Sequence, residues 1–328
     1  LLRNNIICVC KQHWSHLEID SPVKANTTET NSMKIARTIP EFHFVKQQIK
    51  NQRTKLSSVQ GTKELTLGFV PTMGYLHEGH ISLVRLAKQH CDLVATSIYV
   101  NPKQFAPTED FGSYPRNLER DLEMLQREQV DIVFTPHDQE MYPQGYKTYV
   151  SIEGIDQITR EGGARPGFFR GVATVVTKLF NIVQPQKVFF GQKDGIQCIV
   201  IRKLVKDLNM PIEVVIGETL REQDGLAMSS RNSYLNPQQR AIAPVLYKAL
   251  SVAKTAFAKQ GERSSKILLQ KATEVIASEP AVKLDYLTVS SLDTGEDVEI
   301  VPPEGAMISG AIWNGKTRLI DNVILNQH

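Results

Sequence analysis

Residues 68–84, GFVPTMGYLHEGHISLV, constrain the fold of this chain more than any other stretch. The run 65–70 is apolar and β-favouring, and Ile81, Leu83, Val84, Leu86 and Ala87 recur afterwards at helical spacing, so 71–79 reads as a strand-to-helix turn. A turn of that kind at the end of a parallel strand is where α/β proteins bind ligands. Gly74 and Gly79 allow a close approach of the backbone, and the first free N–H groups of the helix present positive charge to whatever binds. An anion, in first place a nucleotide phosphate, is the expected occupant. His77 and His80, one helical turn apart, would face it together as hydrogen-bond donors, neutral or protonated.

A His-x-x-His pair is also half of a metal site, but no Cys or carboxylate stands nearby at ligand spacing, and Glu78 lies between the two rather than a turn beyond. Two surface histidines without a role are the other alternative. The Gly and Pro content beside a β-run favours a phosphate-handling turn, because a solvent loop needs none of it.

At 328 residues the chain is long enough for two domains, each with its own core. A net charge of +3 and a pI near 8.5 are too mild to call for nucleic acid, and no Lys/Arg run forms a basic stripe. The apolar runs are too short for a membrane span. Cys8, Cys10, Cys91 and Cys198 fit neither a disulfide ladder nor a paired C-x-x-C motif, which points to a reducing, cytoplasmic setting. Residues 1–32 read as a poorly ordered leader, polar in the part SPVKANTTETNS. Against organellar targeting stand Glu18, Asp20 and the lack of an Arg-rich helical face; a misassigned upstream segment before Met33 is the competing reading.

From residue 65 onward strand-like and helix-like segments alternate, which gives a parallel sheet covered by helices. Strands are expected at 93–100, 131–135, 187–190 and 212–216, and helices at 118–128, 172–183 and 196–208. The fold class is α/β, a doubly wound, Rossmann-like sheet over 33–219. After residue 219 the pattern changes to a smaller α+β domain, 220–328, placed to act as a lid. Asn236-Pro237 opens a helix that should run towards Lys259 despite Pro244. A helix at 265–277 and a strand at 284–289 follow, and strands at 307–313 and 317–325 flank the hairpin signal Asn314-Gly315.

Functional residues should collect at strand ends of the first domain and at the seam. Asn101 and Gln104 follow the second strand with amide donors and acceptors, although Asn-Pro also makes an ordinary turn. Gly191-Gln192-Lys193-Asp194 follows a later strand; Lys193 is placed to meet phosphate charge, while Asp194 is a candidate helix cap. At the seam, Met228, Ser229, Ser230 and Arg231 offer two hydroxyls and a guanidinium for an anion, with a polar linker as the alternative. Arg165, on these grounds alone, reads as a solvated loop cation.

Taken together, PTMGYLHEGH, VNPKQFAPTEDFGSYPR, FRGVATVVTKLFNIVQP, FFGQKD and DGLAMSSRNSYL, in this order, resemble the pantothenate synthetases, or pantoate–β-alanine ligases. The resemblance covers nearly everything from Met33 onward. It implies an ATP-dependent ligase of the nucleotidyltransferase superfamily, a homodimer in which pantoate attacks the α-phosphate of ATP to give pantoyl adenylate and β-alanine then displaces AMP. By that match His77 and His80 belong to the HxGH-type signature and residues 228–231 to the counterpart of the KMSKS loop. Met73, His77, His80, Gly191, Lys193, Asp194, Leu220, Met228, Ser229, Ser230 and Arg231 would hold ATP. Gln104 and Gln197 would hold pantoate, and Asn101 and Arg165 would help to place β-alanine.

Chemistry of this type asks for positioning and for positive charge at the phosphate oxygens, which His77, His80, Lys193 and Arg231 would supply as the catalytic set. Mg2+ would travel with ATP, held mainly by its phosphates. Asp121 matches an acidic position near the metal, but its neighbour is Arg120 where bacterial members often carry a second acid. Phe168 stands in place of a His, and Gln192 in place of a Glu. Two other function classes remain: a nucleotide-binding protein without catalysis, which the presence of Lys193 and Arg231 disfavours, and a relative of the aminoacyl-tRNA synthetases, which should carry a basic tRNA-binding appendage.

Overall fold

A computed structural model describes residues 32–56 and 64–326, so the expected leader 1–32, with Cys8 and Cys10, lies outside the described residues apart from Ser32. Six strands form a parallel sheet: β1 (Lys34–Ala36), β2 (Leu67–Thr72), β3 (Leu93–Ile98), β4 (Ile132–Phe134), β5 (Lys187–Gly191) and β6 (Glu213–Gly217), in the spatial order β1-β4-β3-β2-β5-β6. Alternate residues serve opposite faces. Leu67, Phe69, Leu93, Ala95, Val188 and Phe190 pack into one buried cluster, whereas Val70, Val94 and Phe189 pack into another. Both faces are covered by helices, as a parallel sheet requires. The chain winds outward from β2 through β3 to β4 and then crosses to β5 on the other side of β2, so the order reverses between β2 and β5. The crevice beyond the carboxyl ends of those two strands is the ligand position of such sheets.

Several elements escape the pattern read from the sequence, among them β1, the helix Ile39–Leu56 and the short helices Asp138–Met141, Ile155–Ile158 and Arg160–Ala164. β1 is only three residues long, and the helix Ile39–Leu56 carries polar residues around most of its surface while Phe44 stays 64% exposed. Its start is nevertheless written in Thr38-Ile39-Pro40-Glu41: the Glu41 amide donates to Thr38 Oγ1, and Glu41 Oε2 accepts from the Thr38 amide. Phe42 and Ile49 are the residues that anchor it.

A second, antiparallel sheet comprises β7 (Val282–Ser291), β8 (Ala306–Asn314) and β9 (Thr317–Leu325). Helices Val245–Gln260 and Ser265–Ala277 cover it, and Leu246, Leu250, Phe257, Leu268, Ile308 and Ile312 build its core. The single helix expected from Asn236 is two, Pro237–Ile242 and Val245–Gln260, because Pro244 cannot donate the hydrogen bond that would continue the first. By length and composition Pro237–Gln260 is apolar enough to cross a membrane, contrary to the expectation from run length, but its apolar residues fill the second core. The hairpin turn also sits one residue later than expected: Asn314 pairs with Thr317, so Gly315 and Lys316 form the loop, with Gly315 at φ +61°.

Candidate active site

The turn after β2 is clamped from behind. Gly74 and Tyr75 both have positive φ, 81° and 51°, which turns the amides of Tyr75 and Leu76 towards Asp121, whose two oxygens accept them at 2.7 Å each. Arg120 completes the grip by donating to the Leu76 carbonyl at 2.9 Å. Asp121 is 1% exposed and does not line the cavity in front of the turn. With both oxygens engaged by backbone N–H groups, Asp121, the candidate metal ligand, holds the turn from behind.

His77 caps the helix Glu78–His90: its Nδ1 accepts from the Gly79 amide at 3.2 Å, while the His77 amide donates to His80 Nδ1 at 3.4 Å. A side chain at Gly79 would meet the His77 ring at 2.9 Å, so glycine there makes room for the imidazole. With Nδ1 accepting in both rings, the neutral tautomer carries its proton on Nε2. Burial, then the neighbouring His80 and Lys193 charges, hold His77 down to about 2; burial and Lys193 hold His80 at about 4. Of the two protonation states left open by the sequence, the neutral one holds. The helix N-terminus offers fewer free amides than expected, and the imidazoles stand in their place.

A cavity of about 1330 Å³ opens over this turn. It is lined by Met73, His77, His80, Asn101, Gln104, Arg165, Gly191, Lys193, Asp194, Gln197, Leu220, Met228, Ser229, Ser230 and Arg231, that is, by every predicted site residue except Asp121. Asn101 is 1% exposed, and its amide is spent on Gln104 Oε1 (3.0 Å) and the Gly171 carbonyl (3.1 Å), while Tyr142 donates to its oxygen at 2.8 Å. Gln104 in turn reaches Met73 Sδ at 3.1 Å. Asn101 thus orients Gln104 within the wall.

Lys193 Nζ lies 3.4 Å from Asp194 Oδ1, and the Asp194 side chain makes no capping bond to the helix it precedes. The loop carrying them is held by β9: Asn322 Nδ2 donates to the carbonyls of Gln192 (2.8 Å) and Lys193 (2.9 Å), and Asn322 Oδ1 accepts from Gln192 Nε2 at 2.9 Å. A glutamine at 192 suits this exchange, whereas a carboxylate would face Asn322 Oδ1.

Ser230 donates to the Tyr75 carbonyl at 3.2 Å and so joins residues 228–231 to the turn after β2. Ser229 Oγ accepts from the Arg231 amide at 3.3 Å, which leaves its hydroxyl proton free. Arg165 is far from the solvated loop cation that the sequence suggested. It is paired with Glu109 at 2.7 Å and stacked 3.6 Å from the Phe168 ring centroid, a contact that gives the phenyl ring at 168 a function of its own. Arg231 is paired with Asp110 at 3.0 Å. Burial pushes the Glu109 and Asp110 carboxyls up, but their arginine partners outweigh it and hold both below the usual range.

A sequence model described as pantoate-beta-alanine ligase matches residues 43–324. The chain belongs to the pantoate-beta-alanine ligase family. A pantothenate synthetase of Chloroflexus aggregans is 54% identical over 259 residues, which is 79% of this chain and 93% of that protein. One from Herpetosiphon aurantiacus is 52% identical over the same shares. A crystal structure of the Thermus thermophilus protein superposes with a TM-score of 0.80 at 41% identity, over 90% of this chain and 100% of that one. The ligase of Francisella tularensis, solved with beta-gamma ATP and beta-alanine, superposes with a TM-score of 0.70 at 34% identity, over 90% and 98%. Sequence reasoning missed Glu109, Asp110 and Asn322 in this family member. The first two stood in view as an acidic dipeptide in the loop after Gln104, but their partners lie 56 and 121 residues away in the chain.

Proposed function

We propose that this cavity makes pantothenate from pantoate and β-alanine in two half-reactions. A pantoate carboxylate oxygen attacks the α-phosphorus of ATP and pyrophosphate leaves. The β-alanine nitrogen then attacks the acyl carbon of the pantoyl adenylate, AMP leaves, and the nitrogen loses a proton. The observation that carries this reading is the convergence of His77, His80, Lys193 and Arg231 on one cavity at the ends of β2 and β5. None of them is needed as a nucleophile; they supply donors and charge at the α-phosphate and the departing pyrophosphate.

The Nε2 protons of His77 and His80 would meet α-phosphate oxygens, and Lys193 and Arg231 the oxygens that gain charge as pyrophosphate leaves. Met73, Gly191, Asp194, Leu220, Met228, Ser229 and Ser230 would complete the nucleotide site. Gln104 and Gln197 would hold pantoate, with Asn101 acting through Gln104, and Arg165 would take the carboxylate of β-alanine. Mg2+ enters as part of the ATP substrate. We assign its ligation mainly to the phosphates themselves. Residues 220–328 would act as a lid that brings 228–231 to the nucleotide. A homodimer follows from the family resemblance, and the free thiols of Cys91 and Cys198 support a cytoplasmic setting.

The test is exchange of labelled pyrophosphate into ATP. Pantoate and MgATP alone should support it, and Lys193→Ala or Arg231→Ala should slow it about a hundred- to a thousandfold, as for loss of one preorganised charge. Exchange that strictly requires β-alanine, or an Arg231→Ala enzyme exchanging at the normal rate, would show the reading to be wrong.

A further inference from the structure

Glu109 and Asp110 are neighbours in the chain, yet their carboxylates turn to two different arginines. Glu109 accepts from Arg165 Nε at 2.7 Å and Nη2 at 2.8 Å. Asp110 accepts from Arg231 Nε and Nη2, both at 3.0 Å. Each guanidinium is gripped along the same Nε–Nη2 edge in a two-point pairing, and among the described residues neither Nη1 has a hydrogen-bond partner. Both acids and both arginines line the one cavity. The acids are themselves tethered: Glu109 Oε2 accepts from the Ala106 amide at 3.2 Å, and Asp110 Oδ2 accepts from the Tyr234 hydroxyl at 3.2 Å.

A guanidinium has five donors, so a carboxylate on one edge leaves the Nη1 side available to an anionic oxygen. An arginine without such a partner would sample several rotamers, and ordering it would weaken binding. A carboxylate acting as a competitor would have to be displaced from the edge that the ligand uses; here the unused edge remains.

We infer that Glu109 and Asp110 are paired positioning residues, Glu109 presetting Arg165 for the carboxylate of the amine substrate and Asp110 presetting Arg231 for phosphate. One loop thereby fixes the cations of both half-reactions. The assignment of the two ligands rests on the function proposed above.

Asp110→Asn and Glu109→Gln test it in the full-length protein, with MgATP and β-alanine titrated calorimetrically and KM measured for each substrate. Asp110→Asn should weaken MgATP about tenfold, the usual effect of losing a hydrogen bond to a charged group, with a much smaller change for β-alanine; Glu109→Gln should do the reverse. Asp110→Glu and Glu109→Asp, which keep the charge, should recover part of the loss. Tighter binding in either amide variant would make the acid a competitor and overturn the inference. Equal weakening of both ligands in both variants, or no recovery with the charge restored, would overturn it as well. The titrations need no turnover, so a wild-type protein that binds MgATP but makes no pantothenate would refute the proposed function while Asp110→Asn still decided this point.

Discussion

His77 and His80 each spend Nδ1 on a backbone amide, and that arrangement sets their chemistry. Both are depressed bases, at about 2 and about 4, so the rings stay neutral across the ordinary working range. In the unfolded chain they titrate near 6.5, so between that value and about 4 the unfolded state binds more protons than the folded one. Stability should therefore rise with pH through this window and be level above it as far as these groups are concerned. Urea unfolding at pH 5 and pH 7 should show the slope, and a His77→Asn, His80→Asn double variant should reduce it. In pyrophosphate exchange the wild type should lack a histidine inflection near 6.5 beyond the titration of the phosphate substrates themselves; an added inflection there would mean that the rings are not neutral. That both rings stand together at the turn and line the cavity was legible in the sequence, because their spacing and the flanking glycines are local facts. The sequence left the charge state open, because the causes are burial and Lys193, which lies on a loop more than a hundred residues away.

A turn is only as good as what stands behind it, and at the scale of elements the clamp on residues 74–76 is the clearest case. The Gly74-Tyr75 conformation follows from local sequence, but the acceptor of its amides comes from the helix Leu118–Arg127, in a segment between β3 and β4. Asp121→Ala would leave two amides without their charged acceptor, at a cost of about 2–4 kcal/mol, since hydrogen bonds to charged groups are the stronger kind and the N–H of Leu76 is buried. We expect that loss in urea unfolding, together with a raised KM for ATP; an Asp121→Ala protein with wild-type stability would show that the clamp is not needed to form the turn. Most of the longer helices were legible by the helical period of their apolar residues, and the central strands as short apolar, β-favouring runs buried on both faces. β1 was not, since three residues cannot display a period, and Ile39–Leu56 was not, since Phe44 and its polar surround blur the stripe although the capping signal at Thr38 was there to be read. The break at Pro244 shows the opposite error, a helical pattern trusted through a residue that cannot continue it.

Across the whole molecule, the second sheet is fastened to the first by polar contacts that no local pattern announces. Asn322 on β9 holds the Lys193 loop, and Arg318, also on β9, reaches Glu161 in the short helix Arg160–Ala164 that leads to Arg165. Arg318 Nη1 and Nη2 donate to the two Glu161 oxygens at 2.9 and 2.8 Å, and Nε donates to Asp285 at 2.9 Å. The side chains are 14% and 6% exposed, so this is a largely buried pair. Burial works against the Arg318 charge, but Glu161 and Asp285 more than compensate and raise its pKa further. Glu161→Gln would strip the stronger partner from a desolvated guanidinium and leave only Asp285, and we expect a loss of about 2–4 kcal/mol in urea unfolding, short of the full cost of an uncompensated buried charge. Replacing both members, Glu161→Leu with Arg318→Met, should return most of that loss, because it removes the stranded charge along with its partner. Because Glu161 precedes Arg165 by one helical turn, Glu161→Gln should also raise KM for β-alanine more than KM for ATP. A single variant within about 0.5 kcal/mol of wild type, the scatter of ordinary surface substitutions, would mean that the Arg318–Glu161 pair adds nothing to the fastening of the two sheets.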